Sequence, residues 1–545
     1  MAAMYADPSY SRGTDHLSRL PVELVLRITR HLKSTDLCAV RLCSRALECA
    51  LRHFFLHEFF RRKQFMLTDF SLQSLLAIAQ TPGVSQTLRH VSIGLEEYST
   101  ENLNESTAPK HAINFLTAAA QQKALLSNGR AVQLLAAAFS LLTNLETVQL
   151  RDFDSPTRFR DGPSETWSSY GMRRALEQLG SQSRRLLGKS INPDFSSRAF
   201  ALIVSALALS DACPPNIEVL SRSTMTGLKS FAFDLSPVPY MSLHGESPKN
   251  GVGVYPLAVL AGLRRLHLSL KFYFHSLRYN HNHEGNPPFT DSFRRSYVDL
   301  EPLHAWLAHC PNIDWLRINL MGDGFVHNDL FLHKLGSPLP AYYPLPPGST
   351  ASRDITMPFA AHLTRFDLGN ASCTRDVLLE LLHRMPALER LSLWKVSLMA
   401  QNFKEETPLN LWKNLFGALA KDPFGSRLKR VSLTKLGIVT YTRDLPGLHT
   451  THVVTFDGLN DVHHTVAVDE SMASWLQALP IRIKREGWAL YDSDSEDLGP
   501  FYVNSNSNYV GGNGYEEEAN DEDEEDDEDS EDAEDAEDSG HVEHA

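Results

Sequence analysis

The sequence predicts a mixed α/β chain. A small three-helix module comes first, an irregular α/β solenoid of helix–strand units follows, and an acidic tail with no core of its own ends it. Three observations predict this. Leu20, Leu24, Ile28 and Leu32 recur every four residues, one apolar helical stripe. Five segments in the middle of the chain place an L-x-x-L-x-L strand pattern behind an apolar helix. Residues 516–545 hold 19 acidic residues and no Lys or Arg, a run that repels itself and has almost nothing to bury.

The first helix starts at Pro21, whose missing N–H costs nothing at a helix N-terminus, with Glu23 favoured at the positive end of the dipole. Ser34 and Thr35 offer N-caps for a second short helix beginning at Asp36 and Leu37. A third runs from about Ser44 past Phe60, with Leu47, Leu51, Phe54, Phe55 and Phe59 apolar. A core drawn from so few residues rarely stands alone below about 70 residues, so the module is expected to lean on a partner or on the next domain.

Leu20-Pro21-Val22-Glu23-Leu24-Val25-Leu26-Arg27-Ile28, then His31-Leu32-Lys33-Ser34-Thr35-Asp36-Leu37, then Val40-Arg41-Leu42-Cys43-Ser44-Arg45, is similar to the F-box motif. One departure is visible: Ala46 and Leu47 stand where many F-boxes carry a tryptophan. The resemblance implies docking on a Skp-type adaptor, and through it on a cullin, by way of Leu20, Pro21, Leu24, Ile28, Leu32 and Leu37.

The strand patterns are Leu145-x-x-Val148-x-Leu150, Leu263-x-x-Leu266-x-Leu268, Ile313-x-x-Leu316-x-Ile318, Leu388-x-x-Leu391-x-Leu393 and Leu428-x-x-Val431-x-Leu433. Leu363-x-x-Phe366-x-Leu368-x-Asn370 has the strand and the Asn without the helix, and copies at Leu88 and Leu228 are weaker. Anchors at 263, 313, 363 and 388 are 50, 50 and 25 residues apart, multiples of a unit inside the about 20–29-residue range of leucine-rich repeats. Alternate Leu residues would point into a shared core while the helices pack outside. The chain thus resembles an F-box protein of fungal type with an irregular leucine-rich-repeat-like region. Insertions at 151–192, 236–255, 271–296 and 321–358 exceed ordinary connections and are candidates for partner contact.

Expected boundaries are 1–16 disordered, 17–66 the helical module, 67–490 the repeat region and 491–545 a disordered acidic tail. The net charge of -14 belongs to that tail: without it, 47 acidic residues face 52 basic ones, a balance of +5. So small a diffuse excess argues against nucleic acid. Six scattered cysteines with no CxxC pair exclude a disulfide scaffold and point to cytoplasm or nucleus. Cys38, Cys43 and Cys49 read as small buried hydrophobes. The longest greasy stretch, Ala199 to Leu209, falls short of the ~20 residues a membrane span needs.

No phosphate-cradling loop or G-x-S-x-G elbow occurs. His275, His281, His283 and the His463-His464 pair lack ligand spacing and are expected to be solvated. His53 and His57 are four apart without the glutamate of H-E-x-x-H, and Trp306, Trp315, Trp394, Trp412 and Trp475 read as core or ridge residues. The expectation is a non-enzyme with no catalytic residue, metal or cofactor. The resemblance to F-box proteins implies the substrate-recognition subunit of an SCF-type ubiquitin ligase, its protein substrate and substrate-binding residues unknown. The alternatives are a non-ligase scaffold and an acidic-tailed chaperone of basic nuclear proteins.

Overall fold

In a parallel sheet every second side chain has only the core to enter, and the strand sequences obey that rule. Ten strands form one sheet in chain order: Arg62–Met66, His90–Gly94, Thr147–Arg151, Asn216–Leu220, Arg265–Lys271, Trp315–Met321, Arg365–Gly369, Arg390–Trp394, Arg430–Thr434 and Asp461–Thr465. The first nine run parallel and the last is antiparallel. Val91, Val148, Ile217, Leu266, Leu316, Phe366, Leu391 and Val431 pair in direct register across eight of them. All are buried, each worth about 1.5–3 kcal/mol in transfer terms. Helices supply the other side of the core through Leu135 and Phe139, Phe200 and Ile203, Leu378 and Leu382, and Trp412 and Phe416.

The structure, a computed structural model, describes residues 16–98, 109–154, 159–161, 167–179, 187–189, 193–222, 228, 257–271, 303–304, 306–321, 325–336, 358–399, 408–421, 424–441, 449–456, 459–466 and 472–491. The chain divides into units Met1–Asp492 and Ser493–Ala545. The readings of 1–15, of the acidic tail, and of His275, His281 and His283 lie outside the described residues.

Five sequence expectations change. Residues Arg62–Met66, read as the end of the helical module, are the first strand of the sheet, paired with His90–Gly94. The copy at Leu228 is only a bridge to Leu270. The slot before Arg265–Lys271 belongs to Asn216–Leu220, which escaped notice because Pro214 stands where an anchoring leucine would be. A helix, Phe325–Gly336, lies within the 321–358 insertion. Cys43 and Cys49 are exposed, not buried; α2 (Ser34–Cys43) and α3 (Arg45–Phe60) turn them outward.

After the sheet strands ending at Gly369, Trp394 and Thr434, one residue turns left-handed: Asn370, Lys395 and Lys435, with φ of 51°, 51° and 50°. Each turn feeds a second, five-stranded sheet of Ser372–Cys373, Ser397–Met399, Gly437–Tyr441, His449–Phe456 and Ile483–Tyr491. At the other end, the exposed edge of Arg62–Met66 is covered. The Tyr170 N–H donates to the Gln64 carbonyl at 2.7 Å, and the Met66 N–H to the Tyr170 carbonyl at 3.4 Å. Covering an edge in this way blocks strand addition there.

Candidate functional site

Helix α1 (Val22–Thr29) buries only Val25 and Thr29. Val25 meets Leu37, Leu47, Leu51, Phe55 and Phe59 in a core separate from the solenoid's. The helix's apolar stripe therefore points elsewhere. Leu24 and Ile28 are each 45% exposed, and Val22, which the sequence reading passed over, is 40% exposed. Pro21 is exposed too, while Leu20 and Leu32 are half-buried. Leu37 sits wholly inside the module's core and so is not on the exposed face. Leu42 on α2, also passed over, is the most exposed large hydrophobic side chain of the module at 78%. An apolar patch spared from its own core is what a docking surface offers.

Beside it, Val22, Leu26, Ala50, His53, Phe54 and His57 line a shallow hollow of about 390 Å³. Burial holds the pKa of His57 below its ordinary value, helped by Arg61, His53 and Arg89, so the imidazole is neutral at pH 7.

The face is held from behind by residues more than a hundred positions away. Asp161 accepts from the Ser34 N–H at 2.8 Å and from the Ser34 hydroxyl at 2.5 Å. It does at the N-terminus of α2 what Ser34 and Thr35 were expected to do: the helix N-cap is Lys33, with no side-chain bond. Arg160 pairs with Glu58 through one guanidinium edge, its Nε and Nη2 donating to the two carboxylate oxygens. It also donates to the carbonyls of Thr29, the last residue of α1, at 2.9 Å and of Leu32 at 3.0 Å. An aromatic from outside the motif joins this core: Trp167 packs edge-on against Phe59 with centroids 6.3 Å apart. At the N-terminus of α3 the Ser44 hydroxyl accepts from the Leu47 N–H at 3.2 Å, an ordinary N-cap.

Of the tryptophans, Trp306 and Trp412 are fully buried, whereas Trp315 lies half-buried on the sheet face turned away from the helices. His464 stacks on Trp475 at 5.1 Å. Among the described residues no group of three or more His, Cys, Asp or Glu could hold a metal ion, and no helix is long and apolar enough to cross a membrane. All six cysteines are free thiols.

Residues 17–58 match the family model of the F-box domain. No curated protein matches the chain. A leucine-rich-repeat-containing protein of Legionella pneumophila, LegL7, aligns in structure over 76% of this chain and 97% of its own, at 11% identity and a TM-score of 0.21. At that score the likeness carries no weight here; the parallel sheet with its helices outside is what makes the region leucine-rich-repeat-like.

Proposed function

Starting from an F-box domain at residues 17–58 ahead of a leucine-rich-repeat-like sheet, we propose that the chain is the substrate-recognition subunit of an SCF-type ubiquitin ligase. The F-box docks on a Skp-type adaptor that carries a cullin, and the repeat region holds a protein substrate. The observation that carries the reading is the exposed stripe of Leu24 and Ile28, with Val22 and Pro21 beside it, on a helix whose module has its own core. The chain contributes proximity and orientation, and the transfer chemistry belongs to other subunits. Six free thiols fit work in a reducing compartment, cytoplasm or nucleus.

The test is co-purification of the adaptor and cullin with the full chain. Both side chains are surface-exposed, so Leu24→Glu with Ile28→Glu leaves the fold intact and should reduce adaptor recovery at least about tenfold, a 1.4 kcal/mol change. Undiminished recovery from a variant with the parent's circular dichroism removes the docking assignment. Adaptor recovery without any ubiquitinated client would instead favour the scaffold.

A further inference from the structure

The sheet face turned away from the helices bears a row of arginines that the docking module does not use. The first outward residues of five neighbouring strands pair in register: Arg265, Trp315, Arg365, Arg390 and Arg430. At ~4.8 Å per strand the row spans roughly 19 Å. The next outward row holds His267, Arg317, Asp367, Ser392 and Ser432. Five arginines thus face one carboxylate on these strands, with Glu218 of the adjoining strand 3.9 Å from Arg265.

That carboxylate is committed. Asp367 accepts from the Trp315 indole N–H at 2.9 Å and from Arg365 Nε at 3.2 Å. The guanidinium carbons of Arg265 and Arg365 lie 3.8 and 3.6 Å from the Trp315 ring centroid. Their strands flank Trp315 on either side, so the two cations take the two faces of the indole. A stacked guanidinium keeps its edge N–H groups pointing outward, already ordered for a carboxylate. Arg317 and Arg390 form no ion pair with any described residue, and Arg390 is exposed.

His267 shows the sign of the field. It is buried, edge-on to Trp315 at 4.7 Å, with Nδ1 3.5 Å from Glu218 and no hydrogen-bond partner for Nε2 among the described residues. Burial, then Arg317, Arg265 and Arg365, keep it neutral.

We propose that this row binds an extended acidic segment of a partner protein, its carboxylates taken by Arg365, Arg390 and Arg317, with the Arg265–Trp315–Arg365 stack as the fixed end. A span of roughly 19 Å is matched by about six extended residues. A single-stranded nucleic acid is disfavoured because it gains its affinity by stacking bases on an open aromatic face, and both faces of Trp315 are covered. The proposal names a substrate class for the repeat region and so rests on the reading given above, but the row itself needs no adaptor.

The experiment is fluorescence anisotropy with the full chain and three labelled probes: octaglutamate, octalysine and an eight-nucleotide oligouridine. Octaglutamate should bind and weaken with salt, and octalysine should not bind. Arg365→Glu with Arg390→Glu should weaken it at least about tenfold, and the exposed-site change Arg390→Gln about threefold with the fold untouched. Arg52→Glu with Lys421→Glu, which alters net charge equally, should leave affinity within about twofold. Equal losses from the two charge-reversal pairs, no octaglutamate binding, or tighter arginine-dependent binding of oligouridine each overturn the proposal. So does binding that emerges only once the chain is shortened at Asp492, since the chain's own acidic tail would then be the occupant. Adaptor recovery is scored separately: its loss with peptide binding intact strikes the docking assignment alone, and the converse strikes only the row.

Discussion

Arg160 has a side chain only 6% exposed and stands between Glu58 of α3 and the carbonyls of Thr29 and Leu32. Glu58 is itself 19% exposed, so removing the cation strands a mostly buried carboxylate. Arg160→Ala should therefore cost about 3–5 kcal/mol of local stability, read as faster amide exchange across α1 to α3 with the solenoid still protected. Lysine should restore only part, because it lacks the two-pronged edge that meets both carboxylate oxygens. His90 sets a different dependence. Burial, then Arg62, Arg61, Arg265 and Arg89, lower its pKa to about 3, and these outweigh Glu146 at 3.7 Å, which Arg89 already engages at 2.6 Å. Between about pH 3 and 6.5 the unfolded chain binds the proton that the folded chain refuses, so stability falls as pH drops through that window. From pH 7 to 5 this residue alone should remove about 2 kcal/mol, and His90→Gln should flatten the urea midpoint against pH over that range.

The left-handed turns that end three sheet strands show how an element can be legible at one copy and hidden at the next. Asn370 advertises its turn, since a short polar side chain tolerates positive φ. Lys395 and Lys435 occupy the equivalent places with nothing in their chemistry to announce it. Lys435 is exposed and its N–H bond to the Asn460 carbonyl, 2.9 Å, is made by backbone alone. Lys435→Asn keeps that bond and relieves the side-chain strain, so it should raise stability by about 0.5–1 kcal/mol in urea unfolding. A lower midpoint would mean that the lysine stem contributes more packing than its turn costs. The α2 cap tells the same story: Ser34 looked like a cap, and the carboxylate that fills the role comes from Asp161.

Across the whole molecule, the F-box and the sheet are joined more closely than their separate cores imply. Only Arg61 separates α3 from the first sheet strand. Trp167, Arg160 and Asp161 all reach back to the helices. A fragment of residues 16–61 keeps the six core side chains of the module but loses all three of these contacts. Too small to stand alone, it should show no cooperative melt by circular dichroism and should gain helicity when adaptor is added. A sharp melt of the fragment by itself would show that these three contacts are dispensable for folding. In the full chain these contacts tie the helices to the first strands of the sheet.

The sequence by itself determined the three helices, the apolar stripe through Leu24 and Ile28, and most strands of the solenoid. These rest on local periodicity, and a period of four or of two is written in neighbouring residues. Its reach ended where a pattern was broken by one residue, as Pro214 hid the strand at Asn216–Leu220, and where Leu37 shared the helical pattern but turned inward. Only the tertiary structure decided that Asp161 and Arg160 would clamp the F-box. Only it brought Arg265, Trp315, Arg365, Arg390 and Arg430 into one row, because strand register sets residues 25 to 50 positions apart side by side. Nothing in a run of neighbouring residues encodes that adjacency.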